Sequence, residues 1–168
     1  MTIFDAKTWI IDNCADAQAL APQTLQVVSN FTLMWNLFEN TVCNNAAKIG
    51  TFDTIAEVIA QHDDLPDEVR DGVRFWTQRY RTGSEFNSLF KGLKFRKNDR
   101  QELVKAVLGG TQNDARSQLL AVMIIVYRLR NNLFHGLKTI SMLNDQVSNL
   151  DTACKALAGV LAASRPLP

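Results

Sequence analysis

The chain has 168 residues, a length that suits one domain (1–168) able to bury a continuous core without staples. It is 46% hydrophobic and 21% charged, and no window approaches eighteen uninterrupted apolar residues, so a globular protein with no membrane span is expected. Asp5 stands where a signal peptide carries positive charge and no apolar stretch follows, which points away from export and toward a cytoplasmic location. Three widely spaced cysteines, Cys14, Cys43 and Cys154, suit buried reduced thiols; a zinc site needs paired ligands at short spacing.

The net charge of +1 conceals an asymmetry. Residues 1–69 hold two basic against ten acidic residues, whereas residues 70–168 hold sixteen basic against seven acidic. An anionic partner is therefore expected on the C-terminal part.

Taken in chain order, Met1 to Leu20 reads as a first helix with Ile3, Trp9, Ile10 and Leu20 among its apolar positions. Pro22 suits the first turn of a second helix, which extends to about Ala47 and stops at Gly50. Its seam is Val28, Phe31, Trp35, Phe38 and Val42, stepping by three and four residues. A short helix follows over Phe52 to Gln61. His62-Asp63-Asp64 looks like half of a metal site, but only His135 remains to complete one, so a polar connection before Pro66 is expected. Asp67 to Arg81 forms the next helix, with Val69, Val73, Trp76 and Tyr80 inward, and Gly83 ends it.

Regularity falls away from Ser84 to Arg100, where Phe90 to Lys97 alternates cations with apolar and aromatic side chains. Lys94, Arg96 and Lys97 there can grip an RNA backbone; equally, the segment can be a solvated loop whose Phe90, Leu93 and Phe95 plug the core. Asn98 or Asp99 can cap a helix running through Val107, which Gly109-Gly110 closes. Asn113 or Asp114 caps another, running to about Phe134. The last helix, Leu137 to Ala163, repeats Ile140, Leu143, Val147, Leu150, Cys154, Leu157 and Leu161. No strand pattern competes, so the fold class is all-α, a bundle of about six to seven helices.

Tyr127-Arg128-Leu129-Arg130-Asn131-Asn132-Leu133-Phe134-His135-Gly136 follows the most apolar run of the chain. On an ideal wheel, Arg130 lies within about 20° of Leu119 and continues an apolar face, where a guanidinium needs an anion. His135 lies about 140° from Arg130, on the side of Arg128 and Asn131. Gly136 suits the residue just past a helix end, so whether Arg128 or Arg130 is nearer His135 stays open. Glu39 leans toward the core from the second helix, where it can pair with Arg130 or remain an ordinary flank carboxylate. The structural alternative for the whole stretch is a polar helix end, its cations meeting the last carbonyls.

Arg130-Asn131-Asn132-Leu133-Phe134-His135 resembles the Arg-polar-(three residues)-His signature of the HEPN superfamily, and its context is similar to the prokaryotic ribonuclease branches. The likeness covers about residues 115–140; the N-terminal half agrees only in being helical. The resemblance implies a homodimer whose two motifs face one cleft, acting without metal or other cofactor as an endoribonuclease in a toxin–antitoxin or anti-phage system. It implies catalytic roles for Arg130, His135 and Asn131 and a supporting polar residue on an N-terminal helix, for which Glu39 is the candidate. By position in the sequence Arg128 is a further supporting candidate, and Lys138, alongside Lys94, Arg96 and Lys97, can contact phosphates. His135 would serve as general acid or base and Arg130 would stabilise the transition-state charge, leaving a 2′,3′-cyclic phosphate and a 5′-hydroxyl. In one toxin branch a tyrosine two positions after the histidine is modified by a partner nucleotidyltransferase. Leu137 stands there here, so any antitoxin would act differently. The alternative is a non-catalytic HEPN module that binds nucleotide or RNA or assembles with a partner protein.

Overall fold

In the computed structural model, which describes residues 3–15, 17, 20–62, 65–134 and 141–164, eight α-helices account for nearly all regular structure. The helix that carries the Arg-Asn-Asn stretch sits at the centre. α1 (Ala6–Asn13) is capped by Asp5, whose carboxylate accepts from the Thr8 N–H at 3.2 Å, and none of its residues is buried. The expected first helix is therefore much shorter, and Trp9, 53% exposed, lies outside the core.

α2 (Pro22–Thr41) starts on Pro22 and buries Thr24, Val27, Phe31, Trp35 and Phe38, with Val28 and Val42 only partly covered. It ends six residues before the expected Ala47. Asn44 and Asn45 adopt φ of 50° and 58°, left-handed conformations that asparagine tolerates better than most residues and that turn the chain away. Gly50 consequently lies inside α3 (Ile49–His62) and stops nothing. α4 (Asp67–Tyr80) follows the expected span, burying Val69, Gly72, Trp76 and Tyr80.

The all-α bundle expected from the sequence is what the described residues form, with one small local exception after α4. Two-residue strands β1 (Arg81–Thr82) and β2 (Glu85–Phe86) pair antiparallel, Arg81 opposite Phe86 and Thr82 opposite Glu85. Gly83, at φ +62°, makes the tight turn between them. So short a hairpin offers too few alternating positions to register as a strand pattern. α5 (Ser88–Lys91), capped by Asn87, then leads into a loop that ends at α6 (Gln101–Leu108).

α7 (Ala115–Phe134) is buried at every position from Leu119 to Val126, an apolar surround that a helix tolerates only when neighbours cover all its sides. α3, α4, α6 and the last helix, α8 (Val147–Ala163), supply that cover. The Asp114 carboxylate caps it by accepting from the Ser117 N–H at 2.9 Å. A 3-10 turn (Ser141–Gln146) precedes α8 (Val147–Ala163), so the expected last helix begins regular α geometry only at Val147. Leu150, Leu157 and Leu161 of its seam are buried, Leu143, Val147 and Cys154 half-buried; Leu137 to Ile140 lie outside the described residues. α8 packs against α2 and α4. No described helix is long and apolar enough to cross a membrane.

Candidate functional site

The C-terminal third of α7 presents two chemically distinct faces. The first looks toward α2. There Trp35, Phe38, Phe52 and Tyr127 form an aromatic cluster joining α2, α3 and α7, with ring centroids 5.5–6.1 Å apart. Arg130 lies at its edge, its guanidinium carbon 5.7 Å from the Trp35 ring centroid and 5.2 Å from that of Phe134. Both separations are within cation–π range. One guanidinium nitrogen, Nη1, donates to Asn131 Oδ1 at 3.2 Å, and the buried Nε–H has no hydrogen-bond acceptor among the described residues.

Among the described residues no carboxylate reaches ion-pair distance of Arg130. Glu39 does not pair with it. One helical turn after Trp35, the Glu39 carboxylate instead accepts the indole N–H at 2.8 Å, the contact that i,i+4 spacing on α2 favours. Glu39 therefore steadies the ring under Arg130 and leaves the cation free of a protein anion among the described residues. Arg130 is half-buried and Phe134 is 50% exposed, so this face meets the surface.

The opposite face carries Arg128 and Asn132, about 160° around the helix from Arg130 at 100° per residue. Here the depth of burial reverses the sequence expectation: Arg128, at 3% exposed, is the arginine that continues into the core. Its Nε–H donates to the Leu93 carbonyl at 3.1 Å and its Nη2 to the Lys94 carbonyl at 2.7 Å. Nη1 stands 3.3 Å from Asp99 Oδ2, an ion-pair distance without hydrogen-bond alignment. Burial draws the Arg128 pKa below its ordinary value, and the facing Asp99 carboxylate pushes it back. Asn132, one turn on, donates from Nδ2 to the carbonyls of Gly92 and Leu93 at 3.1 and 3.2 Å.

This face clamps the loop between α5 and α6. Lys94 and Arg100 both adopt left-handed backbone, at φ of 52° and 50°, an unfavourable state for long side chains that needs outside support. Phe90 and Leu93 are buried and Phe95 half-buried, while the side chains of Lys94, Arg96 and Lys97 face solvent. Both readings of this segment thus apply to it at once, as core plug and as exposed basic tract. Asp99 does not cap α6. Its Oδ2 accepts from the Arg96 N–H at 2.7 Å and faces Arg128, and the residue at the cap position is Arg100, with no side-chain cap.

The structure therefore groups Arg130, Asn131, Trp35 and Phe134, and separately Arg128, Asn132, Asp99 and the basic loop. It does not bring Arg128 to Arg130, nor Glu39 to Arg130. His135 and Lys138 lie outside the described residues, as do Gly136, Asp63 and Asp64. The anchoring roles of Asn132 and Asp99 escaped the sequence reading. Arg128 and Asn132 stand four apart after an apolar run, which is a legible signal of one shared face; for Asp99 no spacing gives one.

The thiols of Cys43 and Cys154 are pushed up by burial, to about 12 and about 11, and all three cysteines are free. No group of three or more metal-ligating side chains comes together among the described residues. Comparison with protein-family models, curated proteins and solved structures finds no match to this chain.

Proposed function

We propose that this protein is a HEPN-type, metal-independent endoribonuclease, working as a homodimer in a toxin–antitoxin or anti-phage setting in the cytoplasm. The observation that carries the reading is Arg130, a permanently charged guanidinium held between two aromatic rings without a carboxylate partner among the described residues. A cation so placed is preorganised for an external anion, and a phosphodiester supplies one. Asn131 fixes the guanidinium through its accepting Oδ1. His135, five residues on in sequence, is the group able to move a proton near neutral pH.

In this reaction the 2′-hydroxyl loses its proton to a general base, attacks the adjacent phosphorus, and the P–O5′ bond breaks as the 5′-oxygen is protonated. A 2′,3′-cyclic phosphate and a 5′-hydroxyl result. His135 serves the proton steps, and Arg130 stabilises the charge gathering on the non-bridging oxygens. Lys138, together with Lys94, Arg96 and Lys97, contacts phosphates along the strand. The rigid clamp behind the basic loop also favours a second reading, a module that binds RNA without cutting it.

The test is incubation of purified protein with RNA in EDTA, with the product ends mapped. His135→Ala and Arg130→Ala are each expected to abolish cleavage with helical content unchanged. Unchanged cleavage in both variants, or none in the parent, refutes catalysis. RNA affinity that survives both variants and falls on Lys94→Ala/Arg96→Ala/Lys97→Ala then selects the binding module.

A further inference from the structure

Beneath the basic loop, on the α7 face away from Arg130, lies a cavity of about 220 Å³ bordered by the clamp residues Asn132, Gly92 and Leu93. Gly92, Leu93 and Leu129 contribute backbone and aliphatic wall, and the exposed Ser88 stands at its rim. Two buried polar atoms on the lining residues lack hydrogen-bond partners among the described residues. Asn132 is 3% exposed, and donation from its Nδ2 to two carbonyls fixes the amide so that Oδ1 turns the other way, where it meets no donor. Arg79 Nη2 donates to the Asp145 carbonyl at 3.0 Å, its guanidinium also lies beside the Tyr80 hydroxyl, and its buried Nε–H meets no aligned acceptor among the described residues. Such groups cost free energy when left unmet, on the order of 1–3 kcal/mol each, so an occupant that meets both is favoured.

The chemistry of the lining narrows what that is. Asn132 Oδ1 is an acceptor and repels a phosphate oxygen, so the occupant must bring its own N–H or O–H. Arg79 Nε–H can donate to an acceptor on the same small molecule. Asn149 Oδ1 is already engaged, receiving Trp76 Nε1 at 2.8 Å and Tyr80 Oη at 3.4 Å, and one Nδ2 hydrogen goes to Gln146. No described lining residue is acidic. The volume is below the roughly 300–1,000 Å³ of sites for drug-sized ligands, which leaves room for one heterocycle.

A donor beside an acceptor on a flat, mostly apolar ring is the edge of a nucleobase. We propose that this cavity binds a single nucleobase, its edge N–H on Asn132 Oδ1 and its ring nitrogen or carbonyl acceptor on Arg79 Nε. Because Gly92 and Leu93 belong to the wall, a strand whose phosphates run along Lys94, Arg96 and Lys97 can turn one base inward. Only that last step, from base to RNA strand, rests on the ribonuclease reading.

The full-length chain, isotopically labelled, is titrated by NMR with each of the four common ribonucleosides, with inorganic phosphate and with ribose 5-phosphate. At least one nucleoside is expected to shift the Asn132 side-chain amide and the Arg79 Nε–H signals. Its analogue methylated on the edge N–H, and the variant Arg79→Met, should each bind at least about tenfold more weakly, the loss expected for one hydrogen bond involving a charged or buried group. Ser88→Trp, a rim change away from the core, should block binding with the fold intact. No shift with any nucleoside, displacement by phosphate, or binding unaffected by Ser88→Trp each overturns the proposal. A short oligoribonucleotide that displaces the nucleoside identifies an RNA strand as the source of the base; a nucleoside that no RNA displaces identifies the free nucleoside. Cleavage is not read at any point, so an inactive nuclease leaves this test standing.

Discussion

Arg128→Met is the perturbation that probes the fold and the candidate interface together. Methionine keeps much of the aliphatic stem and removes the guanidinium. The loss comprises two hydrogen bonds from a charged donor, to the carbonyls of Leu93 and Lys94, and the counter-charge of Asp99, itself 5% exposed. Hydrogen bonds to charged groups contribute about 1.5–3 kcal/mol each. Breaking a buried ion pair by removing one partner costs about 3–5 kcal/mol, because the remaining charge stays desolvated. These overlap, and partial relaxation of the loop relieves some of the burden, so the expected loss is about 3–5 kcal/mol. For a domain of this size each kcal/mol lowers Tm by roughly 2–4 °C, giving a fall of about 6–20 °C. Denaturant unfolding followed by circular dichroism measures it. Arg128→Lys should recover little, since an ammonium lacks the fork that spans two carbonyls and a carboxylate. The double variant Arg128→Met/Asp99→Leu should be less destabilised than the sum of its single changes. A loss below about 1 kcal/mol for Arg128→Met would show that the clamp is not desolvated and refute this account of the loop.

Two glycines in helices predict opposite signs. A Cβ on Gly159 of α8 would stand 3.1 Å from Glu68 Cβ and 3.3 Å from Pro66 Cβ, so Gly159→Ala should destabilise by about 1 kcal/mol despite its gain in helix propensity. A Cβ on Gly50 of α3 meets nothing within 4 Å, and Gly50→Ala should stabilise by about 0.5–1 kcal/mol; the same denaturant midpoints read both. Asp53 of α3 receives Arg100 and Arg116 at 2.9 Å each. Desolvation raises its pKa, but the hydrogen bonds and charges of the two arginines outweigh that and hold it below the ordinary carboxylate value. A lowered folded-state pKa stabilises above the unfolded value, and that stabilisation drains as pH falls through the folded one. Asp53→Asn should therefore cost about 0.5–1 kcal/mol at neutral pH and progressively less in acid, measured by thermal unfolding across pH 2 to 7. An equal cost at every pH would contradict the assignment.

Much of the fold was legible before any coordinates. The three- and four-residue steps of α2, the span of α4 and the limits of α7 follow from periodicity and capping, which are local properties of the chain. Where expectation failed, a local competitor or a distant partner intervened. Asn44-Asn45 turned the chain ahead of Gly50, and a two-residue hairpin was too short to leave a pattern. Asp99 was drawn from a capping role to Arg128, twenty-nine positions away.

The candidate site divides the same way. Sequence alone determined that α7 is enclosed by apolar neighbours, that its end carries arginines and amides, and that the cations concentrate in the C-terminal part. It placed Arg130 in line with the core and left Glu39 as either its partner or an ordinary flank carboxylate. Tertiary structure decided otherwise, because the shape of α7's surroundings is not a periodic quantity. Carbonyls of a loop more than thirty residues earlier claimed Arg128, the Trp35 indole claimed Glu39, and Arg130 was left against Trp35 and Phe134 where the helix meets the surface. A helical wheel ranks directions around an axis; only the packed neighbours determine which direction leads to a partner and which to solvent.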